Sequence, residues 1–91
     1  MKTNMQITTN FKDCVLDVVC AIPEGDTLSY KDVAYLAGSP NAARAVGSIM
    51  KANYKPSIPC HRVVRSDGTV GEYNRGGPNA KRARLKEEGV L

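Results

Sequence analysis

The sequence predicts a mainly α-helical domain that has the outline of a helix-turn-helix and carries a small β-hairpin or wing. Its 91 residues are enough for one domain only, which we assign to residues 1–91. Two predicted helices are joined by a short Gly-Ser-Pro turn at 38–40. A β-branched stretch over 58–64 is followed by a turn signal, Ser66-Asp67-Gly68.

Asn10 is the predicted cap of the first helix, and Asp13 lies at the reciprocal capping position. The helix is ended by Pro23-Glu24-Gly25. Its apolar residues follow the three-four spacing of one buried face. They are Phe11, Val15, Val18, Val19 and Ile22.

The second predicted helix starts at Ser29, with Asp32 three residues on, and stops at Gly38. Ser39-Pro40 repeats a start signal for a third helix that ends near Asn53. In a helix-turn-helix the second of two such helices lies against nucleic acid. Many helical hairpins bind nothing, so the outline alone leaves DNA binding open.

The remaining chain predicts a hairpin, a loop and a last helix. The hairpin joins 58–64, which Pro59 interrupts, to Thr69-Val70. Glycines and a proline make 71–78 a loop, and a short basic helix is predicted over about 80–88.

Composition places the protein among ordinary globular domains, with 42% apolar and 24% charged residues. No apolar run approaches the length of a membrane span, and the first 20 residues lack the pattern of a signal peptide. We therefore expect a cytoplasmic protein with no membrane association. Three cysteines are an odd number, which favours free thiols over a disulfide framework.

Charge is distributed unequally along the chain. Residues 1–43 carry a net charge of −2 and residues 44–91 a net charge of +6. A basic half of a small domain is typical of a surface that binds polyanions, and it is equally consistent with a solvated surface that keeps the domain soluble.

The segment Pro59-Cys60-His61-Arg62-Val63-Val64 is the most informative for chemistry. A free thiol is only partly ionised at neutral pH, whereas the thiolate is the nucleophile, so an imidazole and a guanidinium next to Cys60 suit its activation. In an extended chain neighbouring side chains point to opposite sides, so we predict a water between Cys60 and His61. Glu88 or Glu87 would fix the tautomer of the imidazole. Alternatively, Cys60 is a small buried apolar residue and His61 a surface residue.

A metal site is excluded on geometric grounds. Cys14 and Cys20 are six residues apart, about 240° around a helix, so they cannot converge on one ion with Cys60 and His61. We predict no metal and no cofactor.

Arg44 follows two alanines on the third predicted helix, where it could reach into a DNA groove or lie solvated on the surface. Gly47 weakens that helix by about 1 kcal/mol relative to alanine, which the close approach of a ligand or of another backbone would explain. Tyr30 could meet a phosphate or pack in the core.

Taken together, these motifs resemble the C-terminal domain of O6-alkylguanine-DNA alkyltransferases over about residues 11–90. A PCHRV box with RAVG sixteen residues upstream and a terminal Glu-Gly is a specific combination. The resemblance also includes Ser29-Tyr30, Asn53, Gly71 and Tyr73.

The resemblance implies a winged helix-turn-helix that binds the minor groove of double-stranded DNA carrying O6-alkylguanine, as a monomer. The damaged nucleotide is turned out of the helix, and its alkyl group moves once, irreversibly, to Cys60. The implied catalytic residues are Cys60, His61, Glu88 and Tyr30. The implied DNA-binding residues are Arg44, which fills the space of the extruded base, Ala43, Gly47, Lys51 and Tyr30.

By the same resemblance, a substrate pocket would be formed by Met50, Pro59, Val64, Tyr73, Asn74 and Arg75. Asn53 would link the recognition helix to the active-site segment, and Arg62 would brace that segment. The chain departs from the family pattern in four ways. We expect no N-terminal domain of the usual kind, one residue is missing between Asn53 and Cys60, and the loop 73–77 is one residue longer, with Asn74 or Arg75 in place of a small hydroxyl residue. Glu72 adds a negative charge where glycine or asparagine is common.

Two other functions remain in view. Alkyltransferase-like proteins share the fold but only flag lesions for other repair factors, and they carry tryptophan in place of the cysteine. A winged-helix regulator that reads DNA sequence would leave Cys60 and His61 without a role.

Overall fold

The computed structural model describes residues 10–91. The expectation that no export signal begins the chain rests partly on residues 1–9, which lie outside the described range. None of the helices in residues 10–91 has the length and apolar character needed to cross a membrane.

Three helices form the first half of the described chain: α1 (Phe11–Cys20), α2 (Tyr30–Leu36) and α3 (Ala43–Ala52). The Asn10 side chain caps α1 by accepting the N–H of Asp13 at 2.8 Å, as predicted. Ser29 and Asp32 form both halves of the predicted capping box at the start of α2. The three helices pack on one another around a shared apolar cluster.

The second half consists of a 3₁₀ turn (Cys60–Arg62), a strand β2 (Val63–Val64) and a last helix α4 (Gly77–Glu87). Strand β2 pairs in parallel with β1 (Leu28–Ser29), with Leu28 opposite Val63 and Ser29 opposite Val64. Strand β1 leads directly into α2 and β2 follows directly from the 3₁₀ turn, so this pairing joins the start of α2 to the segment that carries Cys60.

The predicted hairpin is wrong. Strand β2 pairs with the distant β1 and not with residues 69–70, which form no strand. Only the predicted turn forms: Gly68 donates to the carbonyl of Arg65 at 3.1 Å, and the N–H of Arg65 donates to that of Thr69 at 3.0 Å. The partner of a two-residue strand is set by tertiary packing, which turn chemistry does not reveal.

Several helix ends also differ from the predictions. Helix α1 ends at Cys20 because Ile22 precedes Pro23, and a residue before proline disfavours helical backbone. Ile22 is buried nonetheless. The predicted stop of α2 at Gly38 is confirmed, because Gly38 follows the C-cap Ala37 with a φ of +93°.

Helix α3 starts at Ala43 because Ala42 donates to the carbonyl of Ser39 at 3.0 Å, so that the chain first makes a turn. Helix α4 starts at Gly77, three residues earlier than predicted, because Pro78 suits the first helical turn.

Candidate active site

Cys60 lies at the boundary between the core and an open cleft. The side chain is only 5% exposed and belongs to the apolar cluster shared by the helices. It also lines a cleft with a volume of about 580 Å³. We call this space the cleft. It is lined by Tyr30, Ala43, Arg44, Gly47, Ser48, Met50, Lys51, Cys60, Arg65, Glu72, Tyr73 and Asn74.

Asn53 connects α3 to the sulfur. It lies at the C-terminal cap of α3, is buried, and donates from Nδ2 to Cys60 Sγ at 2.9 Å. A residue at the end of the predicted recognition helix therefore touches the predicted nucleophile directly.

His61 is held by Glu88, which Arg62 holds in turn. The Nε2 atom of His61 lies 2.7 Å from Glu88 Oε2. Arg62 binds the same carboxylate through both oxygens, from Nε at 2.9 Å and from Nη2 at 2.8 Å, and donates from Nη1 to the carbonyl of Ile22 at 2.8 Å. Of the two acids that the sequence offered, the structure selects Glu88.

The ionisation of this cluster follows from its contacts. Hydrogen bonds from Arg62, with further help from His61, lower the pKa of Glu88 to about 2, so the carboxylate is ionised. Burial lowers the pKa of His61 despite the hydrogen bond with Glu88, so the imidazole is neutral at neutral pH. An ionised carboxylate only accepts hydrogen bonds, so the proton of the ring lies on Nε2. Nδ1 is then an acceptor. Among the described residues this buried atom has no partner.

Acid stability should depend on Glu88. The lowered pKa adds stability that is complete above 4.5 and is lost as the pH falls to about 2. We expect the gap in unfolding free energy between wild type and Glu88→Gln to shrink by about 3 kcal/mol across that window. Chemical denaturation at a series of pH values measures it. Glu87→Gln, at an exposed neighbouring acid, is the control, and a gap independent of pH would contradict the expectation.

Lys81 is a site residue that the sequence analysis missed. Its side chain is 1% exposed, and Nζ donates to the hydroxyl of Tyr30 at 3.3 Å and to the carbonyl of Glu72 at 3.2 Å. Burial lowers the pKa of Lys81 to about 8, against an opposing effect of negative charge at Cys60. A signal was present in the sequence, because Lys81, Leu85 and Glu88 recur at the spacing of one helix face.

Tyr30 lines the cleft as the first residue of α2. Burial raises its pKa, and the negative charges of Glu72 and Cys60 add to the rise while Arg65 opposes it. The phenol therefore keeps its proton. Gly71 lets the loop pass close by, since a Cβ there would lie 3.3 Å from the hydroxyl of Tyr30 and its φ is +77°.

One face of α3 is open toward the cleft. Ala43, Arg44 and Gly47 lie along it, while Val46 packs in the core. A Cβ built on Gly47 would meet nothing within 4 Å. Packing inside the protein therefore does not require a glycine at position 47. The open space in front of Gly47 allows another molecule to approach the backbone of α3 closely.

The structure gathers most of the predicted site residues around the cleft, and some lie elsewhere. Pro59, Val64 and Arg75, which we expected in the pocket, do not line the cleft. Val64 lines a separate shallow groove because it lies in β2, and Arg75 donates to the carbonyl of Lys55 at 2.6 Å. Within residues 10–91, no group of three or more His, Cys, Asp or Glu side chains is placed to hold a metal ion.

Comparisons with known proteins bear on this arrangement. The model of the family described as "6-O-methylguanine DNA methyltransferase, DNA binding domain" matches residues 10–90. The chain belongs to this family. A methylated-DNA–protein-cysteine methyltransferase of Mus musculus is 55% identical over 67 residues, which cover 72% of this chain and 32% of the relative. The chain thus spans about a third of the length of that relative.

Other similar proteins match over more of this chain. A DNA base-flipping protein of Escherichia coli is 44% identical over 90 residues, or 96% of this chain and 67% of that protein. The Mycobacterium tuberculosis OGT in complex with DNA superimposes with a TM-score of 0.82 at 41% identity, over 89% of this chain and 49% of that one. Atl1 of S. pombe, in complex with damaged DNA containing O6-carboxymethylguanine, gives 0.80 at 34% identity, over 100% of this chain and 82% of that one.

Proposed function

We propose that this protein repairs DNA by moving an alkyl group from O6 of guanine to Cys60, once and irreversibly. The observation that carries the proposal is the position of the sulfur. Cys60 lines an open cleft, and Nδ1 of the neighbouring His61 has no hydrogen-bond partner within residues 10–91. The other ring nitrogen of His61 contacts the ionised carboxylate of Glu88. This arrangement serves nucleophilic catalysis, and a buried structural cysteine would not need it.

The transfer balances with the groups present. The thiol proton passes through a bridging water to His61 Nδ1, and Glu88 stabilises the imidazolium that forms. A sulfur electron pair bonds to the alkyl carbon as the bond from that carbon to O6 breaks. The electrons of the broken bond remain on guanine, which takes a proton from Tyr30, and Lys81 can return one to the phenolate. The products are unmodified guanine and a thioether, which none of these groups can cleave.

Base extrusion explains the open face of α3. A buried sulfur cannot reach O6 of a stacked base, so the nucleotide must leave the duplex and enter the cleft. The described chain then acts as a winged helix-turn-helix whose α3 lies in the minor groove. Ala43 and Gly47 permit close approach, Arg44 fills the vacated space, and Lys51 meets phosphate. We infer that the protein acts as a monomer on the DNA inside the cell and needs no cofactor.

A second candidate function is lesion binding without alkyl transfer. Its support is the likeness to a DNA base-flipping protein at 44% identity and to Atl1 in complex with damaged DNA at a TM-score of 0.80. Alkyltransferase-like proteins carry tryptophan where this chain has Cys60, which favours the transferase.

Intact-protein mass spectrometry separates the two functions. After incubation with an oligonucleotide duplex containing O6-methylguanine, we expect a mass gain of one methyl group in place of hydrogen on the wild type and none on Cys60→Ala. Cys20→Ala, at an exposed cysteine, is the control and should still gain the group. Unchanged mass with tight, lesion-dependent binding would establish the flagging protein, and indifference to the lesion would favour a regulator of the winged-helix type.

A further inference from the structure

The loop 71–76 contributes Glu72, Tyr73 and Asn74 to the lining of the cleft, to which α3 also contributes. This loop differs in length and sequence from the family pattern. Asn74 lines the cleft, yet its amide faces α3. Its Nδ2 lies 3.3 Å from the carbonyl oxygen of Met50, 2.7 Å from that of Lys51 and 2.8 Å from that of Asn53. These oxygens belong to the last turn and cap of α3, where a helix leaves its carbonyls without internal partners.

Arg75 extends the same attachment. Its guanidinium donates to the carbonyl of Lys55 at 2.6 Å, just beyond the end of α3. Two consecutive residues of the loop thus hold the backbone of 50–55. Residues of α3 and of this loop both line the cleft, so these bonds tie the two parts of its wall together near the C-terminal end of α3.

The orientation of the Asn74 amide indicates which of its atoms is in use. Both hydrogens of an amide nitrogen are committed when it serves three carbonyls. Oδ1 is buried and has no hydrogen-bond partner within residues 10–91. If the amide turned to offer Nδ2 to a purine, the carbonyl oxygens at the end of α3 would lose their hydrogen bonds. Leaving buried carbonyl oxygens unpaired is unfavourable.

We propose that Asn74, supported by Arg75, is a positioning residue that sets the largest alkyl group the cleft accepts, because it fixes the distance between the loop and α3. The inference rests on the proposed transfer to Cys60. It assigns to Asn74 a function different from the one the family pattern gives that place, where a small residue faces the guanine. Asn74 acts through the position of the loop and not by taking part in the transfer itself.

The test compares two adducts in the full chain. Rates of transfer are measured at a series of DNA concentrations for duplexes carrying O6-methylguanine or O6-benzylguanine, in wild type, Asn74→Ala and Asn74→Asp. Both substitutions remove the donor to the α3 carbonyls. We expect the benzyl-to-methyl rate ratio to rise about fivefold, the equivalent of one neutral hydrogen bond, mainly through tighter productive binding of the larger adduct.

Controls separate this inference from the function on which it rests. Asn79→Ala makes the same substitution at an exposed residue of α4 and should leave the ratio unchanged. Arg75→Ala removes only the bond to Lys55 and should raise the ratio less, and it serves if the Asn74 variants fold poorly. Provided that the wild type transfers methyl, an unchanged benzyl-to-methyl ratio in the Asn74 variants would overturn the role of Asn74. Equal slowing of transfer from both adducts would do the same. No transfer to the wild type from either adduct would instead overturn the proposed function.

Discussion

The His61→Gln variant is expected to transfer alkyl groups about a hundredfold more slowly than wild type at neutral pH. Glutamine preserves some of the packing and the contact with Glu88, but it cannot take a proton from the thiol. The wild-type imidazole can, since burial lowers its pKa and keeps it neutral at and somewhat below neutral pH. Single-turnover transfer from an O6-methylguanine duplex measures the loss.

The pH dependence distinguishes a relay from a packing role. Without the imidazole, ionisation of the thiol depends on hydroxide, so the deficit of His61→Gln should shrink as the pH rises. In wild type, activity should persist below the range where an ordinary histidine becomes protonated, and decline once His61 gains its second proton. Circular dichroism monitors the fold. The same fractional loss at every pH would show that His61 only packs.

Lys81→Met is expected to make the protein more stable and less active at once. The folded state holds an ammonium that burial disfavours, as its pKa of about 8 indicates. Methionine fills the space without that charge, and we expect a gain of about 1–2 kcal/mol in unfolding free energy at neutral pH. Transfer should slow by roughly tenfold or more, because the charge-assisted hydrogen bond to Tyr30 is lost.

The sign of the stability effect can be checked with pH. A lysine whose folded pKa is about 8 and whose ordinary value is 10.5 weakens folding below 8, and this weakening disappears as the pH rises to 10.5. The advantage of Lys81→Met over wild type should therefore fade across that window. Lys86→Met, at an exposed position of α4, should change neither stability nor rate appreciably. A destabilised Lys81→Met that retains full activity would contradict both expectations.

Sequence signals for helix starts were reliable where the donor and the acceptor of the capping hydrogen bond lie within one helical turn of each other. The Asn10 cap and the Ser29–Asp32 capping box start α1 and α2 where they were predicted. The PCHRV box and Glu88 were recognised as one site, and the structure joins His61, Arg62 and Glu88 within hydrogen-bond distance. Predictions of other helix ends were less reliable. Prolines at 23, 40 and 78 shift the start or end of the helix beside them by a few residues.

Contacts between segments that are distant in sequence could be found only from the tertiary structure. The pairing of β2 with β1 replaces the predicted hairpin, the amide of Asn74 turns to α3, and Lys81 is buried beside Tyr30. None of these partners is near its counterpart in the chain.

The family, the candidate nucleophile and the starts of α1 and α2 can thus be inferred from residue types and spacing, because these depend on chemistry carried within a short segment. The cleft, the ionisation of its groups and the attachment of its walls depend on which segments exclude water from one another. That exclusion arises only when 82 described residues pack together, and it converts an ordinary surface lysine into a buried cation next to a phenol.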